Sequence, residues 1–348
     1  MEIEASNKSS RVVVLDCLRF VAAAAVLLQH SIERGEIGGE IVEWLSPGVF
    51  GVALFFLISG FIIPMAAERN FNLKTFIIKR VFRIYPLVLA SLIAVGFLAY
   101  VTDIPDFIGV RSAGLGVWMA NLLLVQDYVN ATPILGVTWT LSLEFAWYSL
   151  FALAIISVGR RFDDWLMVIA PCIVLLLVVA SLWLQHRLPS GRINMIYLAI
   201  LGCRVYRYSM GTSSARRLVI DAGIFLGTST LSNAVAFGYF RHPNITMMQA
   251  LVPWTAATVL FLLVFTIPKM RNSEFMSSPV LGWLGMISFS TYLLHPLALG
   301  IANAYAPPSI SLVVGILGTL LFASAGYYFI EVPGQALGRR LTRRFRSM

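Results

Sequence analysis

The sequence predicts an all-α fold, a polytopic bundle of about ten membrane-spanning helices with both termini in the cytoplasm. Three observations predict it. The 348 residues are 58% hydrophobic and only 12% charged, whereas a soluble domain usually carries about a quarter charged residues. Apolar runs close to the length that a spanning helix needs recur along the chain. Lys and Arg residues concentrate in alternate connections, as they do in cytoplasmic loops.

Ten apolar runs are the predicted spans, of which the sixth is short. The first run lacks the basic segment of a secretory signal, so we expect a retained helix. The segment 102–134 contains a weakly apolar stretch, 115–125, that suits a re-entrant or interfacial helix. The predicted spans cover residues 12–32, 46–67, 84–101, 135–157, 164–185, 193–206, 217–240, 248–267, 281–305 and 309–330.

The positions of Lys and Arg set the predicted orientation and exclude some partners. The termini and the even-numbered connections carry about four times as many as the odd-numbered ones, which places both termini in the cytoplasm. We expect one domain over residues 1–348, with a basic cytoplasmic tail at 331–348 beside membrane lipid and no appended soluble domain. The net charge of +9 reports these loops rather than a nucleic-acid partner. Neither the cysteines nor the histidines have metal-ligand spacing, so we predict no metal site and no bound cofactor.

The first span carries two ionisable residues, Arg19 and His30. They lie about three helical turns apart and therefore project from nearly the same face. Ionisable groups at membrane depth are costly unless they face a protein interior or a wet cavity, so they are candidates for function. The alternative is that Arg19 snorkels to one headgroup layer and His30 caps the helix near the other.

Small and basic residues mark the second and third spans. Gly51 and Gly60 are predicted to let a neighbouring helix approach closely. Arg80 and Arg83 are three residues apart on one helix face, where two guanidinium groups would form a clamp for phosphate. The alternative is ordinary positive-inside anchoring.

The fourth, ninth and tenth spans supply further polar candidates. Glu144 is a carboxyl group deep in the fourth span, with Trp139 and Ser142 on a compatible face; a structural polar contact is the alternative. His295 in the ninth span is either functional or a satisfied core histidine. Glu331 at the end of the tenth span is either a partner for an arginine of the clamp or a helix terminator.

The predicted topology separates these residues by depth. His30, Glu144 and His295 fall in the middle or outer half, whereas the arginines and Glu331 fall in the inner half. One side therefore offers cations for phosphate, and the other offers a base with a buried carboxyl group. A donor with a phosphorylated head and a long thin arm suits this layout.

Together these residues resemble the acyltransferase family 3 membrane proteins, over the whole chain. Each motif is weak alone, but six occur in the family's order. They are Arg19 with His30, Phe55 to Phe61, Arg80 with Arg83 and Pro86, Trp139 with Ser142 and Glu144, Ser290 to His295, and Glu331 with Pro333.

The resemblance implies an O-acyltransferase of the bacterial inner membrane. It would move an acyl group, usually acetyl, from cytoplasmic acyl-CoA to a hydroxyl of a glycan, exopolysaccharide or glycolipid. His30 would be the general base or an acyl relay. The remaining implied roles are acyl-CoA binding by Arg19, Arg80 and Arg83, catalysis with Glu144, and an acceptor pocket with Trp139, Ser142, Tyr292 and His295.

Two departures from the family pattern bear on these roles. Ala53 stands where many members have an acidic residue, so Glu33 is expected to orient His30 instead. Phe145 is apolar where many members are polar. The competing predictions are a transporter or flippase that uses intramembrane His and Glu, and an acyltransferase acting on a small molecule such as a macrolide.

Overall fold

The computed structural model describes residues 2–34, 45–241 and 245–344, in which it contains helices and no strands. Met1 and the last four residues of the predicted tail, 345–348, lie outside the described residues. The α-helices are α1 (Glu2–Arg34), α2 (Pro47–Ala67), α3 (Leu73–Val101), α4 (Pro105–Ile108), α5 (Leu115–Leu122), α6 (Trp139–Val158), α7 (Phe162–Leu184), α8 (Ser190–Ser209), α9 (Ala215–Asn233), α10 (Met247–Thr266), α11 (Pro268–Arg271), α12 (Glu274–Ser277), α13 (Pro279–Met286), α14 (Ser288–Tyr305), α15 (Pro308–Gly326) and α16 (Val332–Arg344). Two π-helices, Ala234–Tyr239 and Tyr327–Glu331, follow α9 and α15.

The helices confirm the predicted class of an all-α membrane protein. Seven helical stretches in the described residues are long and apolar enough to cross a membrane, or eight if the bent pair α13 and α14 is one span. Each of the ten predicted spans overlaps a helix, but the number ten and the side of the termini stay predictions. One apolar stretch, Gly136–Leu184, contains both α6 and α7, which are separated at Gly159 with a φ of +74°.

The chain divides into two compact units, each described here by itself. Unit 1 comprises Met1–Ile32, Glu36–Asn70 and Ala146–Gly285. Unit 2 comprises Glu33–Gly35, Phe71–Phe145 and Met286–Met348. The predicted single domain over residues 1–348 stays a prediction.

Helix α8, which contains the short sixth span, is the helix around which unit 1 packs. Thirteen of its residues are buried, among them nearly all from Asn194 to Tyr206. A Cβ on Gly60 of α2 would collide with the carbonyl of Ala199, and one on Gly202 would collide with the carbonyl of Leu57. This confirms the predicted packing role of Gly60. Because protein rather than lipid surrounds α8, it tolerates the polar residues that make it a poor span by composition.

Three helices of unit 1 and the residue that follows a fourth are joined by ion pairs that the sequence reasoning missed. Arg204 on α8 bonds to Asp163 and Asp164 at 2.9 Å and to Asp221 on α9 at 2.7 Å. One turn along α8, Arg207 bonds to Glu68 at 2.7 Å and to Asp163 at 3.2 Å. The side chain of Arg204 is only 3% exposed, so this network holds α7, α8 and α9 together with the residue that follows α2.

Unit 2 is built on α3, α14, α15 and α16. Helix α3 begins at Leu73, eleven residues before the predicted span, because the side chain of Asn72 accepts a hydrogen bond from the Thr75 amide and caps the first turn. Arg80 and Arg83 therefore lie inside α3 rather than before it, and Pro86 also lies inside the helix. The described part of the basic tail is helical, and Gly338 of α16 packs against Phe82.

Candidate functional site

The segment from Thr138 to Glu144, which carries three of the predicted site residues, begins α6 in unit 2. The side-chain amide of Gln126 donates to Thr138 Oγ1 at 3.2 Å and to Ser142 Oγ at 3.3 Å. The Tyr128 hydroxyl donates to the Ser142 carbonyl oxygen at 3.3 Å. Ser142 is almost fully buried, whereas Glu144 and Trp139 are partly buried. A loop before α6 thus holds the start of this helix in one position.

Asn121 at the end of α5 fixes that loop. Its side-chain amide donates to the carbonyl oxygens of Val117 and Thr132 at 2.9 Å, and its side-chain oxygen accepts from the Ile134 amide at 2.8 Å. Within the predicted stretch 115–125, residues 115–122 are helical. Asn121 in this helix fixes the turn that follows it. Whether it is re-entrant or interfacial stays a prediction.

Helix α14 contacts the same segment from another direction. The hydroxyl of Tyr292 lies 2.8 Å from Thr140 Oγ1 and donates to the carbonyl oxygen of Val137 at 2.9 Å. One turn later, the buried His295 has Nδ1 at 3.2 Å from the Thr291 carbonyl oxygen. A carbonyl only accepts, so Nδ1 is the donor in this hydrogen bond. The rings of Tyr292 and His295 lie 6.1 Å apart.

Glu331 and the two arginines of the predicted clamp also belong to unit 2. Glu331 is 1% exposed and accepts a hydrogen bond from the Ser290 hydroxyl on α14. Its predicted pairing with Arg80 or Arg83 stays a prediction. Both arginines are partly buried, and the guanidinium of Arg80 lies over the Phe76 ring at 5.6 Å.

Arg19 and His30 lie on α1 in unit 1, so they are described apart from the other candidates. Both side chains are partly buried. Arg19 forms an ion pair with Asp16 at 3.4 Å, a partner that the sequence reasoning had not considered. Glu33, the residue expected to orient His30, has an exposed side chain near the end of α1.

Besides Glu33 at the end of α1, the structure places eight of the predicted site residues in unit 2, and it adds two that the sequence missed. Gln126 lies in a loop with no helical or strand periodicity, so no local pattern marked it. Thr140 lies inside a predicted motif, so its position between Trp139 and Ser142 could have identified it. The eight are Arg80, Arg83, Trp139, Ser142, Glu144, Tyr292, His295 and Glu331.

Comparisons with known proteins agree on one kind of chemistry. The acyltransferase domain family matches residues 12–328. The chain is 26% identical to the acyltransferase MdmB of Streptomyces mycarofaciens, over 80% of the chain and 76% of that protein. It is 24% identical to the O-acetyltransferase OatA of Staphylococcus aureus, over 92% of the chain but only 56% of that protein. No solved structure matches the chain significantly.

Proposed function

The chain belongs to acyltransferase family 3, and from this premise we propose that it is a membrane O-acetyltransferase of the bacterial cytoplasmic membrane. It would transfer acetyl from acetyl-CoA to a hydroxyl group of a surface glycan, exopolysaccharide or glycolipid. The observation that carries the proposal is the family match over residues 12–328, within which five of the six motifs lie complete and in order, and the sixth follows directly after it. The chain spans about half the length of the Staphylococcus relative, so acceptor and partners are part of the proposal.

The proposed donor site uses the arginines. Arg80 and Arg83 lie one turn apart on α3, and a planar guanidinium offers paired N–H groups that match phosphate oxygens. Arg19 would contribute along the path of the donor. Because acyl-CoA carries several phosphate groups, two forks on one helix face suit its head group.

The proposed chemistry is a proton transfer coupled to acyl transfer. His30 takes the proton from the acceptor hydroxyl, and the oxygen attacks the thioester carbonyl carbon. The carbon–sulfur bond breaks, and the CoA thiolate leaves and takes up the proton from the imidazolium. An imidazole suits this role since its ordinary pKa lies near neutral pH. Glu144 would assist catalysis, and Trp139, Ser142, Tyr292 and His295 would line the acceptor pocket.

A small-molecule acceptor is the second candidate. The family match over residues 12–328 does not specify the acceptor, so a small molecule such as a macrolide stands beside the glycan as an acceptor. Both candidates use the same donor and the same base, and they differ only in the molecule that receives the acyl group.

The test is transfer of labelled acetyl from acetyl-CoA in membranes that contain the wild type, His30→Ala or the control His186→Ala. His186 is an exposed histidine outside the motifs. We expect label in glycans, lipids or an added macrolide with the wild type and the control, and none with His30→Ala, whose CoA affinity is retained. Absence of transfer in every membrane, together with absence of acetyl-CoA turnover, would favour the transporter prediction instead.

A further inference from the structure

Helices α3 and α16 of unit 2 pack against each other in opposite directions. A Cβ on Gly338 of α16 would lie 2.7 Å from Phe82 Cβ, and one on Gly334 would lie 2.8 Å from Pro86 Cγ. The residue number thus rises along one helix as it falls along the other, so the two helices are antiparallel. The two glycines are four residues apart on one face of α16. They allow the helix axes to approach to about 8 Å, the close end of the usual range.

This pairing determines where the residues after Phe82 and Gly338 project. Each of them is turned by about 100° around the axis of its own helix. A two-fold axis perpendicular to both helices relates an antiparallel pair, so equal turns on the two helices lead to the same side. Arg83 and Arg339 therefore project from one side of the pair and border the groove between α3 and α16. Their Cα atoms are about 9 Å apart in this arrangement.

No carboxylate on either helix neutralises these two arginines, because neither α3 nor α16 contains an acidic residue. Glu331, the residue before α16, is buried and accepts a hydrogen bond from the Ser290 hydroxyl. Lys79, one turn before Arg83, adds a third positive charge near the groove. Guanidinium groups that share a groove repel each other and raise the local concentration of anions. The charge of this groove therefore calls for an anionic ligand.

The other arginines of the two helices project elsewhere. Arg80 is turned by about 60° from Arg83 on the side away from α16. Its guanidinium lies over the Phe76 ring at 5.6 Å, one turn toward the start of α3. Arg340 is turned by about 200° from Gly338 and so projects away from α3. Arg339, which is exposed, is thus the arginine of α16 that stands beside the partly buried Arg83.

We propose that Arg83 and Arg339 form a phosphate-binding site in the groove between α3 and α16. A planar guanidinium offers paired N–H groups that match two phosphate oxygens, so one arginine on each wall holds a phosphate from both sides. The phosphate belongs to the head group of CoA or to the headgroup of a membrane lipid, which present the same oxygens. For CoA, the inference rests on the proposed function and deepens it, since it extends the clamp of α3 to α16.

The test measures two phosphate ligands on the purified full chain in a maltoside detergent, which contains no phosphate. One arm titrates CoA, and the other follows the rise of the unfolding temperature as phosphatidylglycerol is added. Arg339→Gln is expected to weaken binding of at least one ligand about tenfold, the effect of one lost charge-assisted contact. Arg340→Gln is the matched control, because this adjacent arginine is also exposed but projects away from α3.

The comparison of the two variants decides the outcome. A loss of affinity with Arg339→Gln that exceeds the loss with Arg340→Gln supports the site, and the ligand that is affected identifies the source of the phosphate. Equal losses with the two variants, or no loss of either ligand with Arg339→Gln, overturn the inference and leave the proposed function standing. A wild type that binds no CoA overturns the proposed function itself, and the lipid arm then decides on the site.

Discussion

Tyr292 and Thr140 are 152 residues apart in the sequence, yet their hydroxyl oxygens lie 2.8 Å apart in the core of unit 2. Tyr292 also donates to the carbonyl oxygen of Val137, immediately before α6. The motif on α14 and the motif on α6 are therefore one hydrogen-bonded assembly, in which the position of Ser142 depends on contacts with both a loop and a distant helix.

Tyr292→Phe should lower the transfer rate about tenfold, because it removes both hydrogen bonds while keeping the ring. The lost bonds should also destabilise the fold by about 1–2 kcal/mol, since Thr140 and Val137 lose a buried partner. Acetyl transfer and thermal unfolding in detergent measure the two effects. Tyr100→Phe, at a residue that is 71% exposed, serves as the control. Equal effects of the two substitutions would argue against a role for the Tyr292 hydroxyl in positioning α6.

Replacing both Arg80 and Arg83 by alanine should weaken CoA binding at least tenfold, because two charge-assisted phosphate contacts are lost. Lysine at both positions should recover only part of the affinity, since an ammonium group cannot form the paired contact of a guanidinium. Titration of CoA into the purified variants measures the affinity of each variant for CoA. Wild-type affinity in the alanine variant would mean that the phosphate groups bind elsewhere.

Arg204→Met should lower the free energy of unfolding of unit 1 by about 3–5 kcal/mol, because it leaves the carboxylate of Asp221 buried without its ion-pair partner and leaves Asp163 with Arg207 alone. Thermal or denaturant unfolding in detergent checks this. Arg216→Met, at an exposed arginine, is the control. Combining Arg204→Met with Asp221→Asn should recover part of the loss, and a further loss instead would contradict the pairing.

Gly60→Val should disrupt the contact between α2 and α8. The new side chain would meet the backbone carbonyl of Ala199, which cannot move aside as a side-chain end can. The expected loss of stability is about 3 kcal/mol or more. Gly223→Ala is the control, because nothing lies within 4 Å of a Cβ at that glycine. The fraction of each variant that remains folded after detergent extraction measures the loss of stability.

Much of the fold could be read from local patterns. Each predicted span overlaps a helix, since a run of about twenty apolar residues has few alternatives to a helix in a bilayer. The packing role of Gly60 was also predicted. The predicted third span begins eleven residues after the first residue of α3. Hydropathy detects the apolar part of a helix and misses the polar turns that Asn72 caps.

The site was predictable where its residues form motifs and not where they are joined across the chain. Glu331 shows the difference: its position at the end of a span suggested an arginine partner, whereas the contact that the structure gives it is with Ser290. Gln126 carries no local signal, since its importance comes from contacts with Thr138 and Ser142 on another element. The ion pairs of Arg204 are of the same kind.

The all-α membrane class, the family and the residue types that the chemistry requires can be predicted from the sequence, because they depend on composition and on spacing within single helices. The sequence does not predict that protein encloses α8, that three neighbouring elements supply carboxylates to Arg204 and Arg207, or that Gln126 and Tyr292 hold the start of α6. Hydrogen bonds and ion pairs between helices depend on which helix faces meet, and the periodicity within one helix does not identify its partner.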